Sequence, residues 1–171
     1  MVNSVNPYPM LLPSPDLSAP PDWTPIDAFP QRSFVSGDAD GDRLRVQYYE
    51  RDSALLARVW FGPEAEGPPG HAHGGALAAV LDEAMGYAAW LAGHPVVAAR
   101  LTTDFRRMLP LGTVCTVEPT VERVEGRKVH VSAQIVGPDG TAHAEGEAVL
   151  VGLTPDALDT LNTILNDADV E

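Results

Sequence analysis

The residues with the clearest chemical potential lie in Pro69-Gly70-His71-Ala72-His73-Gly74-Gly75, which runs directly into Ala76-Leu77-Ala78-Ala79-Val80-Leu81-Asp82-Glu83-Ala84-Met85-Gly86. Two glycines open what reads as a helix, a histidine precedes them, and one carboxylate sits two turns in. The unpaired N–H groups at a helix start form a site for negative charge. A carboxylate near such a site could activate water against a carbonyl whose oxygen those N–H groups receive. Gly75 and Asp82 share an azimuth but stand ~10 Å apart along the axis at 1.5 Å per residue. A water nucleophile must come within ~3–3.5 Å of its carbonyl carbon. One helix therefore cannot easily supply both groups, whereas two antiparallel copies could, and the spacing points to a site that spans a dimer interface.

Asp82 shares its helix face with Ala78, Ala79, Met85 and Gly86, by the three- and four-residue rule. Small residues around a carboxylate leave room for something to approach. The plainer alternatives are that the glycines only permit a tight turn into the helix and that Asp82 meets backbone or an arginine. Glu83 is rotated ~100° away. His71 and His73 supply half a metal site with no further Cys or His near them in sequence, so no metal is expected. His130 and His143 fall on the polar side of strand-like runs and read as surface histidines. Cys115 has no evident His partner and reads as packing. No Gly-x-Ser-x-Gly elbow or phosphate-binding glycine loop is present.

Residues 1–40 carry eight prolines, too many for a long helix or a central strand, and read as a mobile arm or an extended wrap pinned by Trp23 and Phe29. Period-2 alternation over Arg43 to Glu50 and Ala54 to Phe61 predicts two strands, with Asp52-Ser53 as a hairpin turn. Gly62 to Gly70 is a loop. Gly75 to about Ala92 has helical spacing and stops at Gly93-His94-Pro95. Four strands are predicted next, over Val96 to Leu109, Thr113 to Val124, Lys128 to Val136 and Thr141 to Val151. Thr154-Pro155 then caps a short amphipathic helix bearing Leu158, Leu161 and Leu165. One helix can fill the concave face of a strongly curved sheet, and the uncovered edge and face favour self-association.

The 171 residues suit one domain (41–153) between the arm and a C-terminal helix and tail (154–171). A formal net charge of −13 argues against non-specific nucleic-acid binding, which needs clustered Lys and Arg. No run reaches the ~18–20 apolar residues of a membrane span, and no charged-then-apolar leader opens the sequence. A single cysteine forms no internal disulfide, so the expected compartment is the cytoplasm. Arg100, Arg106 and Arg107, and the pair Arg127-Lys128, are small cationic groups that read as solvated charges.

The order strand, strand, long helix, four strands, with His73-Gly74-Gly75 at the helix start and Asp82 nine positions after the histidine, resembles the hotdog-fold acyl-CoA thioesterases. Within them it is similar to the PaaI-like (phenylacetate-pathway) and THEM-type branch. Leu101-Thr102-Thr103-Asp104-Phe105-Arg106-Arg107 followed by Pro110-Leu111-Gly112 also resembles that branch's third strand and turn. The likeness covers about residues 43 to 152. It implies an α+β hotdog domain, a curved antiparallel sheet of about six strands around one central helix, working as a homodimer or a dimer of dimers. It implies that the Gly74 or Gly75 N–H holds the thioester oxygen, that His73 orients that end, and that Asp82 of the other subunit is general base or, less often, nucleophile. The substrate would be an acyl-CoA or acyl-carrier-protein thioester, with no cofactor apart from the CoA it carries. His71, Ala78, Met85 and Thr102 would line the substrate site, and Arg106, Arg107 or Arg127 would meet CoA phosphates. Trp90 and Tyr87 would help shape the acyl pocket.

Two positions depart from the pattern. Ala98 stands where some relatives place Ser or Thr, and Gly67 where some carry Asn or Gln. Water positioning would then fall to Thr102, taken to share the strand face of Ala98, or to His71. The alternatives to hydrolysis are an acyl-CoA-binding or sensor protein on the same fold, and a hotdog dehydratase of hydroxyacyl thioesters.

Overall fold

The strand pairing begins at a two-residue hairpin. Asp52 and Ser53 both have positive φ, 52° and 64°, as a type I′ turn requires. They join β2 (Leu44–Arg51) to β3 (Ala54–Phe61) in uninterrupted register. Gly126, at φ 60°, joins β5 (Val114–Glu125) to β6 (Lys128–Val136) in the same economical way. The computed structural model describes residues 12–27 and 33–168. Phe29, expected to pin the arm, lies outside them.

The described residues form seven strands and two α-helices. The remaining strands are β1 (Thr24–Ile26), β4 (Val96–Phe105) and β7 (Ala142–Gly152), and the helices are α1 (Gly74–Leu91) and α2 (Pro155–Ala168). The antiparallel sheet runs β1-β2-β3-β5-β6-β7-β4, and α1 lies along its inner face. Leu77, Val80, Leu81, Ala84, Met85, Ala88 and Ala89 of the helix are buried there with Val59, Phe61, Val117, Ile135, Ala144 and Leu150. This is the hotdog architecture.

The strand absent from the sequence reading is β1, inside the proline-rich arm. It is an edge strand, the place where a ladder tolerates Pro25. The arm is an extended wrap, at least over residues 12–27. Trp23 packs edge-on against Tyr49 at 5.8 Å, the Arg51 guanidinium lies over its ring, Tyr49 Oη donates to Leu17 O at 2.7 Å, and Leu12 reaches Gly112. No helix among the described residues is long and apolar enough to cross a membrane.

One irregularity matters for the site. The β4–β7 register shifts between Ala98 and Arg100, so Ala99 is the extra residue of a bulge, which inverts the alternation beyond it. Among the described residues β4 pairs with β7 alone and is the sheet's long free edge, and Val97, Phe105 and Met108 at and beyond it are each more than half exposed.

Candidate active site

The start of α1 is anchored from both sides. Ala72 N–H donates to Leu109 O at 2.8 Å and His73 N–H to Ala65 O at 2.7 Å. His73 is the N-cap, with extended backbone (φ −66°, ψ 137°), and its Nδ1 accepts the Gly75 N–H at 2.8 Å. An accepting Nδ1 puts the proton of the neutral ring on Nε2. The His73 carbonyl takes the N–H groups of Ala76 and Leu77. Among the described residues, none accepts from the Gly74 N–H. Of the two glycines that sequence reasoning offers as donors, Gly75 is committed to the cap and Gly74 is free.

Neither glycine has positive φ, so both serve close approach. A Cβ on Gly75 would lie 2.9 Å from His73 Nδ1, and one on Gly74 3.1 Å from the Phe105 ring. Gly67 is constrained in the same way: a Cβ there would stand 2.7 Å from His73 Cα. An Asn or Gln at that position would need the cap to move. Gly74 and Leu77 share a groove of about 270 Å³ with Phe105, Arg106, Arg107 and Met108. The His73 ring faces a different groove, with Phe34, Arg43, Glu64 and Glu66.

Asp82, half-buried two turns into α1, has no hydrogen-bond or ion-pair partner among the described residues. Burial first, and the neighbouring Glu83 charge second, raise its carboxyl above the ordinary aspartate value. Glu83 is held away from it, accepting from Tyr48 Oη at 2.9 Å and from Ser33 Oγ. Asp82 opens onto a groove of about 290 Å³ between α1 and the start of β4, lined by Gly86, Trp90, Val96, Ala98 and Leu150.

The two halves do not meet within one chain. Gly74 and Asp82 lie ~12 Å apart along the helix axis, and α1 runs antiparallel to β4. Phe105 covers the Gly74 end, whereas Ala98 and Val96 line the Asp82 end. Both grooves therefore open along the free β4 edge, at its opposite ends.

The other expected site residues are brought to the two grooves only in part. Thr102 does not share a face with Ala98. The bulge pairs Thr102 with Glu147 on the outer face beside Arg100 and His130, while Ala98 pairs with core-facing Leu150. Thr103, opposite Gly146, takes the inner face. Met85 is wholly buried, with its methyl against Gly146, and belongs to the core rather than to a pocket wall. Ala78 is half-buried on α1 and His71 half-buried before it, with His71 Nδ1 donating to Pro69 O at 2.8 Å. Arg106 is taken up by Glu145, at 2.6 Å, and by Asp104. Arg127 donates to Gly152 O at the far end of β4. Arg107, exposed beside Gly74, has no side-chain partner among the described residues.

The histidines on the polar strand faces are less exposed than expected. His143 is buried beneath the β6–β7 turn against Gly137. His130 is half-buried, with Nε2 3.3 Å from Glu125 Oε2, near enough to pair when protonated but not aligned as a hydrogen bond. The buried Cys115 thiol is pushed up to about 12 by desolvation, as befits a packing residue. Phe105 is the site neighbour to which sequence reasoning gave no role. Its contact with Gly74 joins residues 31 positions apart and leaves no local signal.

Residues 69–143 match the thioesterase superfamily. The acyl-coenzyme A thioesterase THEM4 of Xenopus laevis is 41% identical over 119 residues, which are 69% of this chain and 54% of that protein. The chain thus spans about half the length of this curated relative. The crystal structure of a thioesterase superfamily protein superimposes with a TM-score of 0.65 at 29% identity, covering 71% of this chain and 60% of that one. The E. coli PaaI protein from the phenylacetic acid degradation operon has a TM-score of 0.58 at 20% identity, covering 62% and 82%, and speaks for the fold alone. The hotdog domain of this chain belongs to the thioesterase superfamily.

Proposed function

We propose that the protein hydrolyses acyl-CoA thioesters in a site completed by two copies of the chain. The single observation that carries this reading is the placement of the free Gly74 N–H and the unpartnered Asp82 carboxylate at opposite ends of the unpaired β4 edge. Antiparallel pairing of two such edges would bring the Gly74 groove of one copy to the Asp82 groove of the other, and a long exposed edge is a template for such pairing. The named activity of the THEM4 relative agrees with this chemistry.

The thioester oxygen accepts the Gly74 N–H, whose donor strength is reinforced by the helix dipole. Asp82 from the other copy takes a proton from water, and the hydroxide oxygen bonds to the carbonyl carbon. Collapse of the tetrahedral intermediate breaks the C–S bond, and the proton held by Asp82 passes to the leaving sulfur, giving free acid and CoA thiol. His73 holds the geometry by engaging the Gly75 N–H. The pantetheine arm leaves past Phe105 and Met108, and Arg107 meets a phosphate. A carrier-protein thioester would present the same arm. The cytoplasm is the compartment we propose, on the single buried cysteine.

The apolar surroundings of Ala98, with no hydroxyl lining the Asp82 groove among the described residues, favour one second reading, an acyl-CoA-binding protein. Thiol release from a panel of short, long and aromatic acyl-CoAs separates the two. Turnover that falls 10²–10⁴-fold in Asp82→Asn supports hydrolysis. Binding that survives in Asp82→Asn without wild-type turnover supports the binder. Mixing Asp82→Asn chains with Gly74→Pro chains tests the shared site, because mixed dimers alone would rebuild one intact pair of Gly74 and Asp82.

A further inference from the structure

We infer that Gly86 and Trp90 set the length of acyl chain the protein accepts, with Gly86 as the open wall of the acyl groove and Trp90 as its end. The inference rests on the thioesterase reading and names the substrate class of that same site, a medium-length unbranched apolar acyl group. Asp82, Gly86 and Trp90 follow at four-residue intervals along one wall of the groove, facing Val96, Ala98 and Leu150 on the other.

Gly86 has no conformational need to be glycine. Its φ is not positive, it sits inside a helix where glycine is less stable than alanine, and a Cβ there would meet nothing within 4 Å. What the missing side chain does is leave the groove open next to the reacting carboxylate. Trp90 is fixed rather than mobile. Its Nε1–H donates to Val96 O at 3.0 Å, so the indole ties the end of α1 to the start of β4 and bridges the groove where the two elements converge. From Asp82 to Trp90 the wall runs ~12 Å at 1.5 Å per residue, the reach of a medium-length chain. Its lining offers no free polar group beyond Asp82, because Glu83 is held by Tyr48 and Ser33. A hydroxylated or charged acyl tail would lose its hydration there without compensation.

The test is kcat/KM for acetyl-, butanoyl-, octanoyl-, dodecanoyl- and hexadecanoyl-CoA. Each methylene buried in the groove is worth about fourfold, so wild type should climb to medium lengths and then level off. Gly86→Leu should lower the octanoyl-to-acetyl ratio by about 100-fold, and Gly86→Ala, which helix propensity favours, should lower it less in the same order. Trp90→Ala should carry the climb on to longer chains. Ratios that do not move, or dissociation of the assembly by Gly86→Ala, would overturn the inference, the latter by making Gly86 a contact between copies. If wild type hydrolyses no thioester, the thioesterase reading fails by itself, and S-alkyl-CoA thioethers of the same lengths decide the groove. Affinity increments per methylene that Gly86→Leu abolishes support it, and their absence in wild type refutes it.

Discussion

Replacing Gly74 by proline removes the hydrogen of the proposed oxyanion donor and puts the ring Cδ in its place, while leaving the helix start intact. Gly74 is the first residue of α1, the helical position that proline favours. His73 before it already has φ −66° and ψ 137°, the extended conformation that a following proline imposes. The N–H that is lost has no acceptor among the described residues, so no internal hydrogen bond goes with it. The Cβ that is added stands 3.1 Å from the exposed Phe105 ring, whose end can give way. Gly74→Ala makes the same contact and keeps the N–H, which makes it the control. Losing one oxyanion donor typically costs 10²–10³ in kcat, or about 2.7–4 kcal/mol. Steady-state kinetics on acyl-CoA should therefore show Gly74→Pro slower than Gly74→Ala by at least that factor, since the ring Cδ also crowds the oxygen, with melting temperatures of the two within a few degrees. Equal rates for the two variants would refute Gly74 as the donor. The same loss in both would mean that the Phe105 contact, and not the N–H, carries the effect.

Asp82 gives a pH prediction with a definite sign. Its native carboxyl holds its proton more tightly than an unfolded aspartate, whose ordinary value is 3.8. Stability is therefore lost as pH rises from that value through the raised native one. Asp82→Asn should be more stable than wild type at pH 7, with the gain shrinking towards zero below the ordinary aspartate range; a gain independent of pH in urea denaturation would contradict the burial argument. At the β2–β3 turn, Asn-Gly in place of Asp52-Ser53 removes the left-handed strain at Ser53 and should add about 1 kcal/mol, a melting-point rise of roughly 2–4 °C. Arg107→Ala should raise KM for CoA thioesters about tenfold, the ~1.5 kcal/mol of one charged hydrogen bond, without affecting N-acetylcysteamine thioesters, which lack the phosphates. Arg106→Ala, its guanidinium already taken by Glu145, should change KM less than twofold, and equal effects for the two arginines would remove Arg107 from the phosphate contact.

Much of the hotdog domain is written in local pattern. Alternation over Ala54–Phe61 and Lys128–Val136, the turn at Asp52-Ser53, and helical spacing ending at Gly93 place these elements within a residue or so of their observed ends. His73-Gly74-Gly75 and Asp82 are legible for the same reason, since a cap and a face are properties of a few neighbouring residues. The tertiary structure decided what depends on register and contact. One extra residue at Ala99 turned Thr102 to the outer face, and a period-2 reading has no means of seeing a bulge. The His73 ring, folding back onto one N–H, chose Gly74 over Gly75 as the free donor. Met85 and Gly86 are adjacent on the same helix, yet one is closed in by the sheet at Gly146 and the other faces open space. Sequence sets which faces a chain can present, whereas burial of a face requires a second surface, and that surface comes from residues far away along the chain.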